Sequence, residues 1–88
     1  MRYTLTWSPD ADDQLTELWL AAANRDALTN AASQIDAQLR ADPKSAGESR
    51  DADVRILSVP PLSVYYNILE DDRKVVVWAV WISSKPKD

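Results

Sequence analysis

Neither histidine nor cysteine occurs in this 88-residue chain, so any chemistry falls to arginine, lysine, tyrosine, hydroxyl and carboxylate side chains. The commonest general acid–base group and the commonest zinc ligand are missing, and disulfides and thiolate metal sites go with them. Arg50 and Arg55 flank a polar stretch, Arg73 and Lys74 sit in a charged turn, and Lys85 and Lys87 lie near the chain end. Together they form the one basic edge that could hold RNA or phosphate, against the commoner alternative of scattered, solvated charge. The run "SAGES" (residues 45–49) has one glycine and no lysine after it, so it fails the phosphate-loop pattern. A serine nucleophile has no histidine or placed lysine to activate it. Asp10, Asp12 and Asp13 are the densest carboxylates, but a helix N-terminus explains them without a metal. No cofactor or metal site is expected.

Composition narrows the partners further. Apolar residues make up 45% of the chain, with four tryptophans and three tyrosines, enough for a folded core in one small domain. The net charge is −4, which disfavours binding to free DNA or to RNA at large. The opening "MRYTLTW" lacks an apolar leader pattern, and no apolar run reaches the ~18 residues of a membrane span. A cytoplasmic protein with no membrane contact is the expectation.

The elements that must position these groups read in order. "RYTLTW" alternates Tyr3, Leu5 and Trp7 against polar residues, as a half-buried strand does. Ser8 then offers an N-cap, Pro9 suits the first helical position, and the aspartates complement the helix dipole. Ala11, Leu15, Leu18, Trp19 and Ala22 make an apolar stripe. Asn24 breaks or caps, and a second helix follows through Leu28, Ala31, Ala32, Ile35 and Leu39 to near Ala41, where Pro43 stops it. The pair forms an αα-hairpin. Residues 43–53 are polar and without periodicity, which reads as the one real loop. Strands over 54–59, 62–69 and 75–82 form a meander, turning at Pro60–Pro61 and at "EDDRK". The fold class is α+β, in the order β-α-α-β-β-β, with a two-helix hairpin packed on an antiparallel sheet. Residues 1–82 form the single domain and 83–88 a flexible tail.

The "SPDADDQLTELW" helix, the second helix and the segment "RILSVPPLSVYYNILEDDRKVVVWAVW" resemble the RelE/ParE superfamily of bacterial toxins from type II toxin–antitoxin pairs, over residues 2–82. The resemblance implies a fold of this order and a partner antitoxin that wraps the toxin. It also implies one of two targets: messenger RNA cut in the ribosomal A site, or DNA gyrase. The basic positions usual in the family fall on Ser63, Asn67, Ala79, Ile56 and Ser58 here, and the basic, aromatic tail is reduced to "ISSKPKD", without a tyrosine.

Cutting RNA without a metal needs a proton acceptor, stabilisation of an anionic phosphate and a proton for the leaving oxygen. If Val64, Tyr66 and Ile68 face the helices, alternation puts Ser63, Tyr65 and Asn67 on the opposite face, beside Val75, Val77, Ala79 and Trp81. That face is aromatic and apolar. Tyr65, Trp81, Val77, Ser63 and Asn67 are therefore the candidate partner-binding residues, while Trp7, Trp19 and Trp78 are expected in the core. Three readings follow. The favoured one is a toxin acting by protein binding, with a gyrase-type target preferred to the ribosome. The alternatives are a non-toxic interaction module or homodimer that kept the fold, and a divergent endoribonuclease using Arg50, Arg55 and Tyr65.

Overall fold

The computed structural model describes residues 3–51 and 53–82; the expected tail, with Lys85 and Lys87, lies outside them. The elements are β1 (Thr4–Trp7), α1 (Pro9–Ala21), α2 (Arg25–Ala41), α3 (Pro43–Ala46), β2 (Glu48–Asp51), β3 (Val54–Val59), β4 (Leu62–Leu69) and β5 (Lys74–Ile82). The five strands form one sheet in the order β1-β5-β4-β3-β2. Strands β2 to β5 run antiparallel in sequence order, and β1 adds at the edge parallel to β5. The sheet is therefore mixed where an antiparallel one was expected. A strand that leads into two helices returns to the same layer by a crossover, and a crossover can deliver it parallel.

Local chemistry explains most boundaries. The Ser8 hydroxyl accepts from the Ala11 amide at 3.1 Å, and the Asn24 side chain accepts from the Ala27 amide at 3.1 Å, so both long helices start on side-chain caps. Asp42 ends α2 and caps α3, accepting from the Ser45 amide. The β4–β5 connection is a single 3-10 turn over Glu70–Asp72, closed by Arg73 in the left-handed region at φ 49°. No helix among the described residues is long and apolar enough to cross a membrane.

The core lies between the helices and one face of the sheet. Leu28, Ala31, Ile35 and Leu39 of α2 pack with Leu5, Leu57, Leu62, Val64, Tyr66, Val75, Val77 and Val80 from the strands. Helix α1 contributes only Ala11 as a fully buried residue. Beyond Trp7, β5 has no strand on its outer edge, and the Val80 amide instead donates to Gln14 Oε1 of α1 at 3.0 Å. That bond spares a half-covered amide from desolvation without a partner.

Residues 43–51 do not form the open loop expected over 43–53. They fold into α3 and the edge strand β2, held by a polar clip on Tyr66. This side chain is completely buried, and its hydroxyl donates to the Pro43 carbonyl at 2.7 Å. The Arg55 guanidinium donates to the carbonyls of Lys44 and Gly47, and its Nε reaches the Tyr66 hydroxyl at 3.4 Å. Gly47 is needed for this approach: a Cβ there would overlap the Ile56 carbonyl oxygen and come within 2.6 Å of the Tyr66 hydroxyl. On the same side, Lys44 pairs with Glu70 at 3.0 Å, and the Tyr3 hydroxyl also donates to Glu70. The hydrogen bond and charge of Glu70 raise the Lys44 pKa above its ordinary value. A raised lysine pKa stabilises below the unfolded value and fades as pH climbs through the folded one, so the pair is intact at neutral pH.

The clip makes a stability prediction. Tyr66→Phe, which strands the Pro43 carbonyl, should cost about 1–2 kcal/mol, and Gly47→Ala about 1–3 kcal/mol through overpacking. Both should appear in urea titration as lower midpoints with an unchanged slope. A Tyr66→Phe midpoint equal to the parent's would show that the clip contributes nothing.

Candidate functional site

The sheet face turned away from the helices carries no helix. Cross-strand register fixes what it shows. Ile56, Tyr65 and Ala79 form one row, and Ser58, Ser63 and Trp81 form the next. Asn67 and Val76 pair further along, with Thr6 beyond them on β1. The positions where the sequence resemblance places basic residues, Ile56, Ser58, Ser63, Asn67 and Ala79, thus share this face, and all are uncharged.

The phase of β5 differs from strict alternation. Tyr65 pairs with Ala79 but its neighbour Tyr66 pairs with Val77, so Trp78 is an extra, bulged residue. A bulge moves every residue before it to the opposite face from the one that simple counting gives. Val75 and Val77 are completely buried under the helices, which withdraws Val77 from the candidate partner-binding set. Trp78 moves the other way: expected in the core, it is 38% exposed and lies on the open face.

The result is an aromatic cluster. Tyr65 stacks on Trp78 with centroids 5.2 Å apart and meets Trp81 at 4.7 Å, tilted by 56°. Tyr65 and Trp81 are half-buried, held by each other's rings rather than by an overlying layer. Offset and tilted contacts of this kind are attractive beyond the area they bury, so the cluster is a fixed platform. Ser63 is almost fully buried beside it, its hydroxyl 2.6 Å from that of Ser58, and it offers no free surface. Asn67 is half-buried and donates to the Asp53 carbonyl at 2.8 Å, which ties down the β2–β3 turn.

The three residues considered for catalysis do not converge. Arg55 pairs with Tyr66 on the helix side, with its guanidinium committed to the clip, while Tyr65 points to the other face. Arg50 is exposed on β2 and borders a cleft of about 240 Å³ with Ile56 and Ser58. Arg73 lies over the Tyr3 ring at 5.7 Å, and Lys74 opens β5 at the far end of the sheet from Trp81. Among the described residues, the expected basic edge is therefore divided among separate sites. Among the described residues, no three carboxylates converge as a metal site would need.

Trp19 also departs from its expected core position. It is 38% exposed, its indole donating to Thr29 at 3.3 Å and the Arg25 guanidinium lying 4.5 Å from its ring centroid. The helical stripe that pointed to it was real, but α1 and α2 diverge, leaving a groove where packing was expected.

One family model matches the chain, and solved structures share its fold. The sequence pattern described as the ParE toxin of the type II toxin–antitoxin system parDE matches residues 5–86. No curated protein sequence matches the chain. Among solved structures, the RelBE2 toxin–antitoxin complex of Mycobacterium tuberculosis superimposes with a TM-score of 0.82 at 17% identity, covering 97% of this chain and 95% of that one. The chromosomal ParDE system of P. aeruginosa gives 0.73 at 15% identity, over 93% and 97%. The isolated E. coli RelE toxin gives 0.67 at 15% identity, over 97% and 88%. At these identities the structural likenesses establish the fold, and the α+β expectation agrees with them.

The revised phase of β5 is open to a direct check. Val77→Ala should cost about 2 kcal/mol of stability, as loss of two buried methyl groups does. Trp78→Ala should cost under about 1 kcal/mol, since its ring lies on an uncovered face. Equal losses in chemical denaturation would place Trp78 in the core after all.

Proposed function

The chain belongs to the ParE toxin family of type II toxin–antitoxin systems, and from that premise we propose that it acts by binding a protein target rather than by cutting RNA. The observation that carries this reading is the aromatic platform of Tyr65, Trp78 and Trp81. It occupies the face where the sequence resemblance puts the cations of the ribonuclease members. A pentavalent phosphate in transit needs positive charge and a proton donor close at hand. Ser63, Asn67 and Ala79 supply neither, and Arg55 is bound to backbone carbonyls. A patch of three uncharged aromatic rings instead suits a protein surface, where tyrosine and tryptophan dominate binding energy. A gyrase-type target fits this reading, because poisoning a topoisomerase asks for contact and no catalytic group in the toxin.

The complexes of RelBE2 and ParDE pair a toxin with an antitoxin. By analogy this chain has a cognate antitoxin that covers it while growth continues.

The test is viable count after tightly controlled induction in a bacterial host, with Tyr65→Ala/Trp81→Ala alongside and purified protein assayed on gyrase and in cell-free translation. Loss of viability, inhibition of gyrase supercoiling, intact messenger RNA, and rescue by the folded double variant are the expected outcome. Site-specific messenger cleavage on translating ribosomes would overturn the reading in favour of a ribonuclease. A folded double variant as toxic as the parent would remove the aromatic face from the mechanism.

A further inference from the structure

Two properties of the aromatic row on the open face narrow what can cover it. The first is spacing. Tyr65 stands between Trp78 and Trp81, its ring 5.2 Å from one and 4.7 Å from the other. The two indoles are three residues apart on β5, about 10 Å of strand at ~3.3 Å per residue. A polyproline II helix has three residues per turn and advances about 9 Å in that turn, so its side chains recur on one side at nearly the same interval. The second is hydrogen-bonding sense. Among the described residues nothing bonds the Tyr65 hydroxyl or the Trp81 indole nitrogen, and neither is a buried, unpaired group, so both polar edges reach solvent. An indole N–H can only donate. A polyproline II segment is the matching ligand: its carbonyls have no internal partners, and its prolines carry no N–H.

Charge points the same way. The row and its neighbours Ile56, Ser58, Ser63 and Ala79 are uncharged. Among the described residues, charge on this face enters at the margins, with Glu48 opposite Ile56, Arg50 further along β2, and Lys74 at the start of β5. A polyanion gains little over such a surface, and a strongly charged peptide gains no more. A second copy of the chain would set donor edge against donor edge and leave indole N–H groups without acceptors.

We propose that the row of Trp78, Tyr65 and Trp81 is a docking site for an uncharged, proline-containing extended segment of the target protein. Prolines at i and i+3 lie against the two indoles, and a carbonyl between them accepts from Tyr65 or Trp81. This deepens the protein-binding reading by naming the chemistry of the segment that the same face takes, and it rests on that reading. Such a segment is already extended before it binds, so little ordering entropy opposes a contact made by only three rings.

The test records the indole N–H signals of the four tryptophans by NMR while a capped, uncharged peptide of roughly ten residues with a Pro-x-x-Pro core is added. The Trp78 and Trp81 signals should move together and saturate. Those of Trp7 and Trp19, on the helix side of the sheet, should stay in place and report an intact fold. Trp81→Ala should weaken binding about tenfold or more, and Trp81→Phe, which keeps a ring and loses the donor, several-fold. Replacing both prolines by alanine should weaken it several-fold through restored chain freedom. Raising the salt concentration should leave the affinity unchanged. The proposal is overturned if the peptide moves no indole signal, if Trp7 and Trp19 shift instead, if the alanine peptide binds equally well, or if Trp81→Ala binds unchanged while folded. An oligouridylate that shifts Trp78 and Trp81 where the peptide does not would overturn it in favour of base stacking. A dimer in sedimentation that Trp81→Ala dissociates would overturn it in favour of self-association. No peptide binding, with toxicity still abolished by the double variant, would sink the segment chemistry alone. Peptide binding by a protein that proves harmless to cells would sink the toxin reading alone.

Discussion

Strand β5 has to serve both faces of the sheet with one nearly unbroken apolar run, and the bulge at Trp78 is what makes that workable. Before the bulge, Val75 and Val77 lie against the helices; after it, Val80 does. Without the extra residue, keeping Val75 and Val77 in the core would turn Val80 outward and Ala79 and Trp81 inward. A tryptophan is far larger than a valine, and a core packed at crystal-like density has no room for that exchange. The bulge therefore preserves a valine-lined core and turns two indoles outward together. Tyr65, on the partner strand, then has a ring on either side of it.

The sequence announced what local chemistry decides. Ser8 with Pro9, Asn24, and Pro43 after Asp42 set helix ends through hydrogen bonds made within a few residues, and each boundary is where those residues put it. The period-2 pattern of β1 and β4 was equally readable. What escaped depends on distant partners. Strand β2 is an exposed edge, so "ESRD" has no apolar alternation to show. Its place is dictated by a tyrosine and an arginine one and two strands away, through bonds to carbonyls that every sequence possesses. A bulge leaves no compositional mark when it falls on a tryptophan in a run of valines, so counting from either end of β5 gives opposite answers. The sign that something was amiss lay in the aromatic residues: Trp78 and Trp81 are three apart, a spacing that strict alternation assigns to opposite faces.

Trp19 misled for a different reason. Helical periodicity tells which residues share a stripe but not how far away the facing element stands. The α1 stripe does face α2, yet α1 rests on β5 while α2 packs over β3 and β1. Two helices seated on different parts of a twisted sheet diverge, and their facing stripes become the walls of a groove rather than a seam. Trp19 answers partial exposure with local contacts, a hydrogen bond to Thr29 and the Arg25 guanidinium over its ring. Those contacts span the α1–α2 junction and tie the two helices together at that end of the groove.

The two uncovered surfaces differ in kind, and the difference bears on how such a protein can be both toxic and controllable. The aromatic platform is built from uncharged rings held by mutual contact, so under the proposed reading its affinity for a protein target depends on shape and burial more than on salt. The helical side combines an apolar trough with the chain's excess negative charge, so its electrostatic field differs from that of the uncharged rings across the sheet. The sheet between them is a rigid five-stranded layer. Under the proposed reading, a wrapping partner that touches both faces joins two modest contacts through one linker, and such a pair binds far more tightly than either contact alone.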